Sequence, residues 1–350
     1  MTSVRPRPGT AAARSTETRT PAVRAIGLVG LLVALSVAII ASLAVGARPI
    51  PPLEVVRTLL GGETGQNAMV IHQLRIPRTL IAIVAGAALG VAGALIQAVT
   101  RNPLADPGIL GVNAGAAFAL ALGTGLAGVS GALGTLGLAY LGAFTASVVV
   151  YAIGSLGRGG ASPVRLILAG VALGAVLAGI TRAIVLTDRQ RFAVMTAWDS
   201  GSLLDRDAGL FGLAAPLVLL GLLIALGIGS SLNAIALGDD LASALGSNVL
   251  RTRVLAVVAV MLLAGSATAL AGPIAFVGLM VPHVVRWIVG PDQRWIIGYS
   301  VVAAPTLLVL ADVVGRVLLP PGELPAGIVT ALIGAPVLIV LVRTRKASEL

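Results

Sequence analysis

Long uncharged runs divide this chain, and the clearest lies between Arg78 and Arg101, where the 22 residues Thr79 to Thr100 carry no charge. A helix of that length, at about 1.5 Å per residue, crosses the ~30 Å hydrocarbon core of a bilayer. Arg75 and Arg78 precede it and Arg101 follows, where long cationic side chains reach water. The same criterion predicts a first span over 25–47, a pair within the uncharged block 107–157 split near the Gly/Ser-rich 128–134, a fifth at 164–186 and a sixth at 208–229. The seventh, 252–271, ends at Gly272-Pro273, because proline removes a helix hydrogen bond. Some 14 apolar residues then precede Arg286, so the eighth is expected to be short. A ninth covers 297–316, and a tenth runs from Pro325 to Val342, followed by Arg343, Arg345 and Lys346. The predicted fold class is an all-α integral membrane protein with about ten transmembrane helices and both termini on one side.

Charge sets the orientation. With the N-terminus inside, 15 basic residues fall on inner segments and nine on outer ones, so the termini are expected to be cytoplasmic. Residues 1–24, with Arg5, Arg7, Arg14, Arg19 and Arg24 among Thr, Pro, Ala and Ser, read as a disordered basic cytoplasmic tail. The first span is too long for a signal-peptide core and reads as an uncleaved helix. Residues 25–345 form the membrane domain.

Two connections carry polar pattern. After Arg101, the sequence N-P-L-A-D-P-G places Asp106 to cap a helix that starts at Pro107, a position where no partner awaits the missing N–H. Residues 230–250 are too polar to span. There Gly238 precedes Asp239 and Asp240, which favour a helix start through the dipole, and Leu241, Ala244 and Leu245 give one apolar face before Gly246 ends it. Two readings stay open: an amphipathic helix lying on the membrane surface, or a helix that docks into a cytoplasmic subunit.

Composition removes other classes. The chain is 57% hydrophobic and 11% charged with mean hydropathy +1.02, against the roughly 25% charge of a soluble domain. It has no cysteine, hence no disulfide, thiol chemistry or Cys-based metal site. In this setting the net charge of +10 reads as topology signals on short loops, not as a nucleic-acid surface. The sole lysine, Lys346, sits in R-T-R-K-A-S with no glycine before it, so the chain has no P-loop, no catalytic residue is expected, and no cofactor is bound by this chain. Gly123, Gly125 and Gly128 match G-x-G-x-x-G without a preceding strand, and His72 and His283 lack metal-ligand spacing. His283 reads as a helix-end packing residue. Gly86/Gly90, Gly111/Gly115 and Gly170/Gly174 read as helix-packing seams. No acidic residue lies at the centre of a span, where ion-coupled carriers need an ionisable or unwound polar site. Asp312 and Arg316 near the end of one span fit an i,i+4 ion pair. Energy for transport is therefore expected from another protein.

Five motifs then occur in order: Arg75-Ile-Pro-Arg78; Asn102-Pro103-Leu-Ala-Asp106-Pro107-Gly108; Leu237-Gly238-Asp239-Asp240-Leu241-Ala-Ser-Ala244-Leu245-Gly246; Gly272-Pro273 through Pro282-His283 with Arg286; and Glu323-Leu-Pro325-Ala-Gly327. Together they resemble the FecCD family, the permease subunits of type II ABC importers for iron–siderophores, haem and cobalamin, over about residues 25–345. The resemblance implies ten helices per subunit, a second permease subunit, two cytoplasmic ATPase subunits that bind ATP and Mg, an extracytoplasmic substrate-binding protein, and a bacterial cytoplasmic membrane location. It implies that Leu237 to Gly246 is the ATPase-coupling helix. It also implies that Arg75, Arg78 and Arg316 receive carboxylates of the binding protein. The other motif residues, Asn102 to Gly108, Gly272, Pro273, Pro282, His283, Glu323, Pro325 and Gly327, read as structural loop positions. Trp198 to Leu203 resembles a family segment to which no role attaches. A secondary transporter or channel working without an ATPase is the alternative from another class.

Overall fold

The computed structural model describes residues 21–46, 48–62, 65–125, 127–129, 131–156, 163–187, 189–204, 208–319 and 322–346. Most of the basic tail, Arg158 and Arg206 lie outside the described residues, as do the ends of several loops. The described chain is all-helical: α1 (Pro21–Ala44), α2 (Pro52–Leu59), α3 (Gln66–Val70), α4 (Ile76–Thr100), α5 (Val112–Gly125), α6 (Ala132–Ser155), α7 (Pro163–Val185), α8 (Arg189–Asp199), α9 (Ala208–Ala236), α10 (Asp239–Ala244), α11 (Val249–Ala271), α12 (Val277–Val289), α13 (Gln293–Leu318) and α14 (Ala326–Lys346).

Seven segments among the described residues are long and apolar enough to cross a membrane, and Val112–Gly125, Val277–Val289 and Ala326–Val340 are shorter apolar helices. The chain is a multi-pass membrane protein. Its apolar side chains face outward on the peripheral helices, as at Val29, Leu168 and Leu223. This is the arrangement that hydrocarbon, not water, rewards.

The centre of the bundle is α4, flanked by α13 and α11. Of the most hydrophobic window in Gln66–Thr100, 83% is buried, and of that in Val249–Ala271, 72%, against 17% for α1. Small residues make the enclosure possible. A Cβ added at Gly86 would lie 2.7 Å from Pro305 Cα, and one at Gly90 2.5 Å from the Ala304 Cβ, so α4 and α13 touch nearly backbone to backbone.

Several boundaries differ from the sequence expectation: α1 covers Pro21–Ala44 instead of 25–47, and α13 starts at Gln293 instead of 297. The span expected from residue 77 begins earlier, because Gln66–Thr100 is one continuous helical stretch interrupted only by a π-turn at Ile71–Arg75. There the Ile76 N–H bonds back to the Ile71 carbonyl, and the widened turn accommodates Pro77, which has no N–H to offer. Pro77 therefore sits inside a helical stretch and does not start one. α9 continues to Ala236, past the expected end at 229. Its Asn233 stays helical because its side chain donates to Asp292 Oδ1 (2.8 Å) and accepts from the Gln293 N–H (2.8 Å). The α8 helix, Arg189–Asp199, has no counterpart in the sequence expectation.

Candidate functional site

At one end of α4 the predicted arginines converge. Arg75 closes the π-turn, Arg78 lies in the first turn of α4, Asp312 and Arg316 stand one turn apart on α13, and Glu323 lies just before α14. Arg78 Nη2 donates to Asp312 Oδ1 at 2.7 Å and Nε to both carboxylate oxygens at 3.1 and 3.0 Å, while its Nη1 donates to Glu323 Oε2 at 2.7 Å. Arg316 shares the same carboxylate, with Nε donating to Asp312 Oδ2 at 3.1 Å, and reaches back to the end of α1, where Nη1 donates to the Ser42 carbonyl at 2.7 Å and the Val45 carbonyl at 3.1 Å. Arg75 Nη1 donates to the Leu43 carbonyl at 2.5 Å and Nη2 to that of Arg48. The carbonyls at the C-terminus of a helix are unpaired within it and carry its negative dipole end, which explains why two guanidinium groups settle there.

Arg48, Arg75, Arg78, Arg316 and Glu323 line one cavity of about 340 Å³, closed on another side by Leu203 and Leu204. Four guanidinium groups face one lining carboxylate, with Asp312 behind them. The cavity is cationic. Arg75 and Arg316 are buried, and neither snorkels along lipid.

The opposite end of α4 holds the polar helix. Arg101 terminates α4 with φ 51°, a left-handed conformation costly for a non-glycine residue. Its side chain bonds to Asp239 at the start of α10, and Arg253 Nη2 of α11 lies 2.9 Å from Asp239 Oδ2. Gly238 (φ 116°) and Gly246 (φ 81°) bracket α10 in conformations open to glycine, which sets its sharp entry and exit. Ala242 is buried, whereas Leu237, Leu241 and Leu245 are 62%, 49% and 62% exposed, and Asp240 and Ala244 are exposed as well. One carboxylate thus pins a short helix whose leucines point away from the bundle.

The neighbouring loop motifs serve the frame. Asp106 accepts from the Gly108 N–H at 2.8 Å and caps a 3₁₀ turn, Pro107–Leu110, shorter than the expected helix. Burial pushes the Asp106 carboxyl up, against the opposing pull of that N–H. Asn102 Oδ1 accepts from the Leu104 N–H at 2.9 Å, closing the turn over Pro103. Pro282 inside α12 cannot donate to the Gly278 carbonyl, and buried Gln97 Nε2 donates there instead at 3.3 Å, and to the Leu279 carbonyl at 3.0 Å. His283 is buried with its ring 5.3 Å from that of Trp287. Near the arginine cavity, Gly327 N–H donates to the Gly201 carbonyl at 2.9 Å and Leu324 N–H to that of Gly315 at 2.9 Å. Gly272, Pro273 and Trp198 close around Gly201, so three separate loop motifs meet at one point.

Residues 24–344 match the FecCD transport family. The chain belongs to that family. Among curated relatives of the FecCD permease, the ferric enterobactin transport system permease protein FepD of Escherichia coli (strain K12) is 48% identical over 92% of this chain and 96% of its own. The siderophore transport system permease protein YfiZ of Bacillus subtilis (strain 168), named as a probable one, is 37% identical over 91% and 96%. A solved structure described as an inward-facing conformation of a metal-chelate type ABC transporter superposes with TM-score 0.80 at 28% identity, covering 91% of this chain and 99% of that one.

The sequence places Arg75, Arg78 and Arg316 at span ends but does not show their counter-ions. By sequence Asp312 is only the i,i+4 partner of Arg316, whereas in the fold it bridges Arg316 and Arg78, and Glu323, which reads as a loop position, is the second partner of Arg78. Arg48, Arg101 and Arg253 carry no signal in the sequence: each lies at a span end, where an arginine is ordinary.

Proposed function

We propose that this FecCD permease is the transmembrane subunit of an ATP-driven importer that moves iron–siderophore, or a related metal chelate, across the bacterial cytoplasmic membrane. The observation that carries the reading is the near-full-length similarity to FepD, named for ferric enterobactin. It crosses the membrane ten times with both termini inside, the three shorter apolar helices completing the set. ATP and Mg belong to two cytoplasmic ATPase subunits, which this P-loop-free chain requires. A second permease subunit completes the pathway, and a substrate-binding protein docks outside.

The two ends of α4 take the two contacts. The exposed leucines of Leu237 to Gly246 seat in the ATPase, with Asp239 fixing the approach. At the other end the binding protein offers carboxylates to the cavity of Arg75, Arg78 and Arg316. Arg78, bonded to carboxylates at the cavity wall, is the contact position. Arg75 and Arg316, held by α1 carbonyls, shape the cavity and supply its positive potential.

The test is uptake of radioactive iron carried by a panel of catecholate, hydroxamate and citrate chelators, with haem and cobalamin beside them, in a strain deleted for this gene with and without complementation. Restored uptake of one ferric chelate is the expected result. Restored uptake of haem or cobalamin alone would move the substrate assignment, and uptake independent of the ATPase gene would overturn the importer reading.

A further inference from the structure

The two carboxylates bound to Arg78 are not equivalent. Asp312 lies on a membrane helix with its side chain 2% exposed, and it is gripped by two guanidinium groups, Arg78 on one side and Arg316 on the other. It cannot leave without stranding both cations. Glu323 lies on a loop with its side chain 26% exposed and, among the described residues, makes one ion pair, to Arg78 Nη1 at 2.7 Å. Its loop is held independently by the Leu324 N–H on the Gly315 carbonyl, so the side chain can swing away while the backbone stays. Arg78 therefore has one permanent counter-ion and one that opens to the cavity mouth.

We infer that Glu323 is the resident counter-ion of the docking cavity, occupying Arg78 Nη1 until a carboxylate of the docking partner takes its place. The inference rests on the docking role proposed above for the arginines and adds how that role is regulated. Exchange of one carboxylate for another keeps Arg78 Nη1 paired throughout, while Asp312 holds the rest of the guanidinium. It also discriminates. A neutral or cationic surface cannot displace Glu323, because nothing would replace the lost pair. The released Glu323 carboxylate goes to water, which it already partly faces, so displacement costs about as much as one partly exposed ion pair.

The experiment measures affinity of the detergent-solubilised full-length permease, assembled with its ATPase, for its substrate-binding protein, across a salt series. Glu323→Gln should tighten docking about fivefold, the equivalent of one such pair. In the Arg78→Gln background the same substitution should change nothing, because there is no contact left to exchange. Arg78→Glu unchanged from wild type would remove the docking reading itself. Docking weakened by Arg78→Glu but not tightened by Glu323→Gln would leave that reading standing and overturn the exchange. Tightening that persists in the Arg78→Gln background would reduce Glu323 to a repelling charge and overturn it too. If the glutamine variant does not insert, Glu323→Ser makes the same comparisons.

Discussion

Removing Asp312 should damage this protein more than removing any exposed charge. The carboxylate is nearly inaccessible and holds Arg78 and Arg316 together through contacts at 2.7, 3.0 and 3.1 Å, besides the short one from Arg316 Nη2. In Asp312→Ala, Arg316 keeps only neutral partners, the Ser42 and Val45 carbonyls and the Ser42 hydroxyl, Arg78 keeps only Glu323, and the two cations are left to repel one another. Breaking a buried pair from one side costs about 3–5 kcal/mol, mostly through the charge left behind. Exposed pairs such as Arg101–Asp239, with side chains 41% and 43% exposed, contribute about 0–1 kcal/mol. The assay is reversible unfolding in mixed micelles, following the loss of helicity with added denaturing detergent for Asp312→Ala and for Asp239→Asn. The double replacement Asp312→Leu with Arg316→Met removes a charge of each sign and should recover most of the loss. A loss below about 1 kcal/mol in Asp312→Ala, on the scale of a surface pair, would refute the claim that this carboxylate is the keystone of the cavity.

Three further outcomes are expected. Because the chain lacks cysteine, Gly62→Cys and Gly322→Cys should react with an impermeant thiol reagent in intact cells, and Ser247→Cys only after permeabilisation; the reverse pattern would invert the topology. Replacing Leu241 and Leu245 together by Asp should abolish uptake and ATPase co-purification while the permease still inserts, since each buries an unpaired charge at the contact; normal uptake in that variant would favour transport without an ATPase. Gly90→Val should destabilise by at least about 1–3 kcal/mol, because even a Cβ meets Ala304 at 2.5 Å, and a circular-dichroism melt unchanged from wild type would contradict the α4–α13 seam.

The membrane helices were legible in the sequence because hydrocarbon tolerates so few charges that an uncharged run of about 20 residues seldom arises outside a membrane span. The short α12 was legible for the same reason, through the distance from Pro273 to Arg286. What escaped depended on partners. Asn233 looks like a loop residue until Asp292 and Gln293 supply its bonds. α8, with Arg189, Arg191 and Asp199 among few aliphatic residues, has no amphipathic period to announce it. The arginines could be placed at a span end, but Arg78 and its carboxylates are 234 and 245 residues apart, and no local pattern encodes such a pairing.

The ends of α4 differ in how their charges are held. One end is clamped by Asp312 inside the protein, while the other meets Asp239 through a water-exposed pair. Between those ends Gln97 ties α4 to α12 and Gly86 and Gly90 press it against α13, so α4 behaves as a braced strut, not as a hinged lever. Any push on α10 therefore enters a helix held along its length and is passed toward the Arg78 cluster, about 35 Å away by helix rise over Arg78 to Arg101. The glycine contacts at Gly86 and Gly90 leave no slack between α4 and α13, so a displacement of α4 is carried by α13, which bears Asp312 and Arg316.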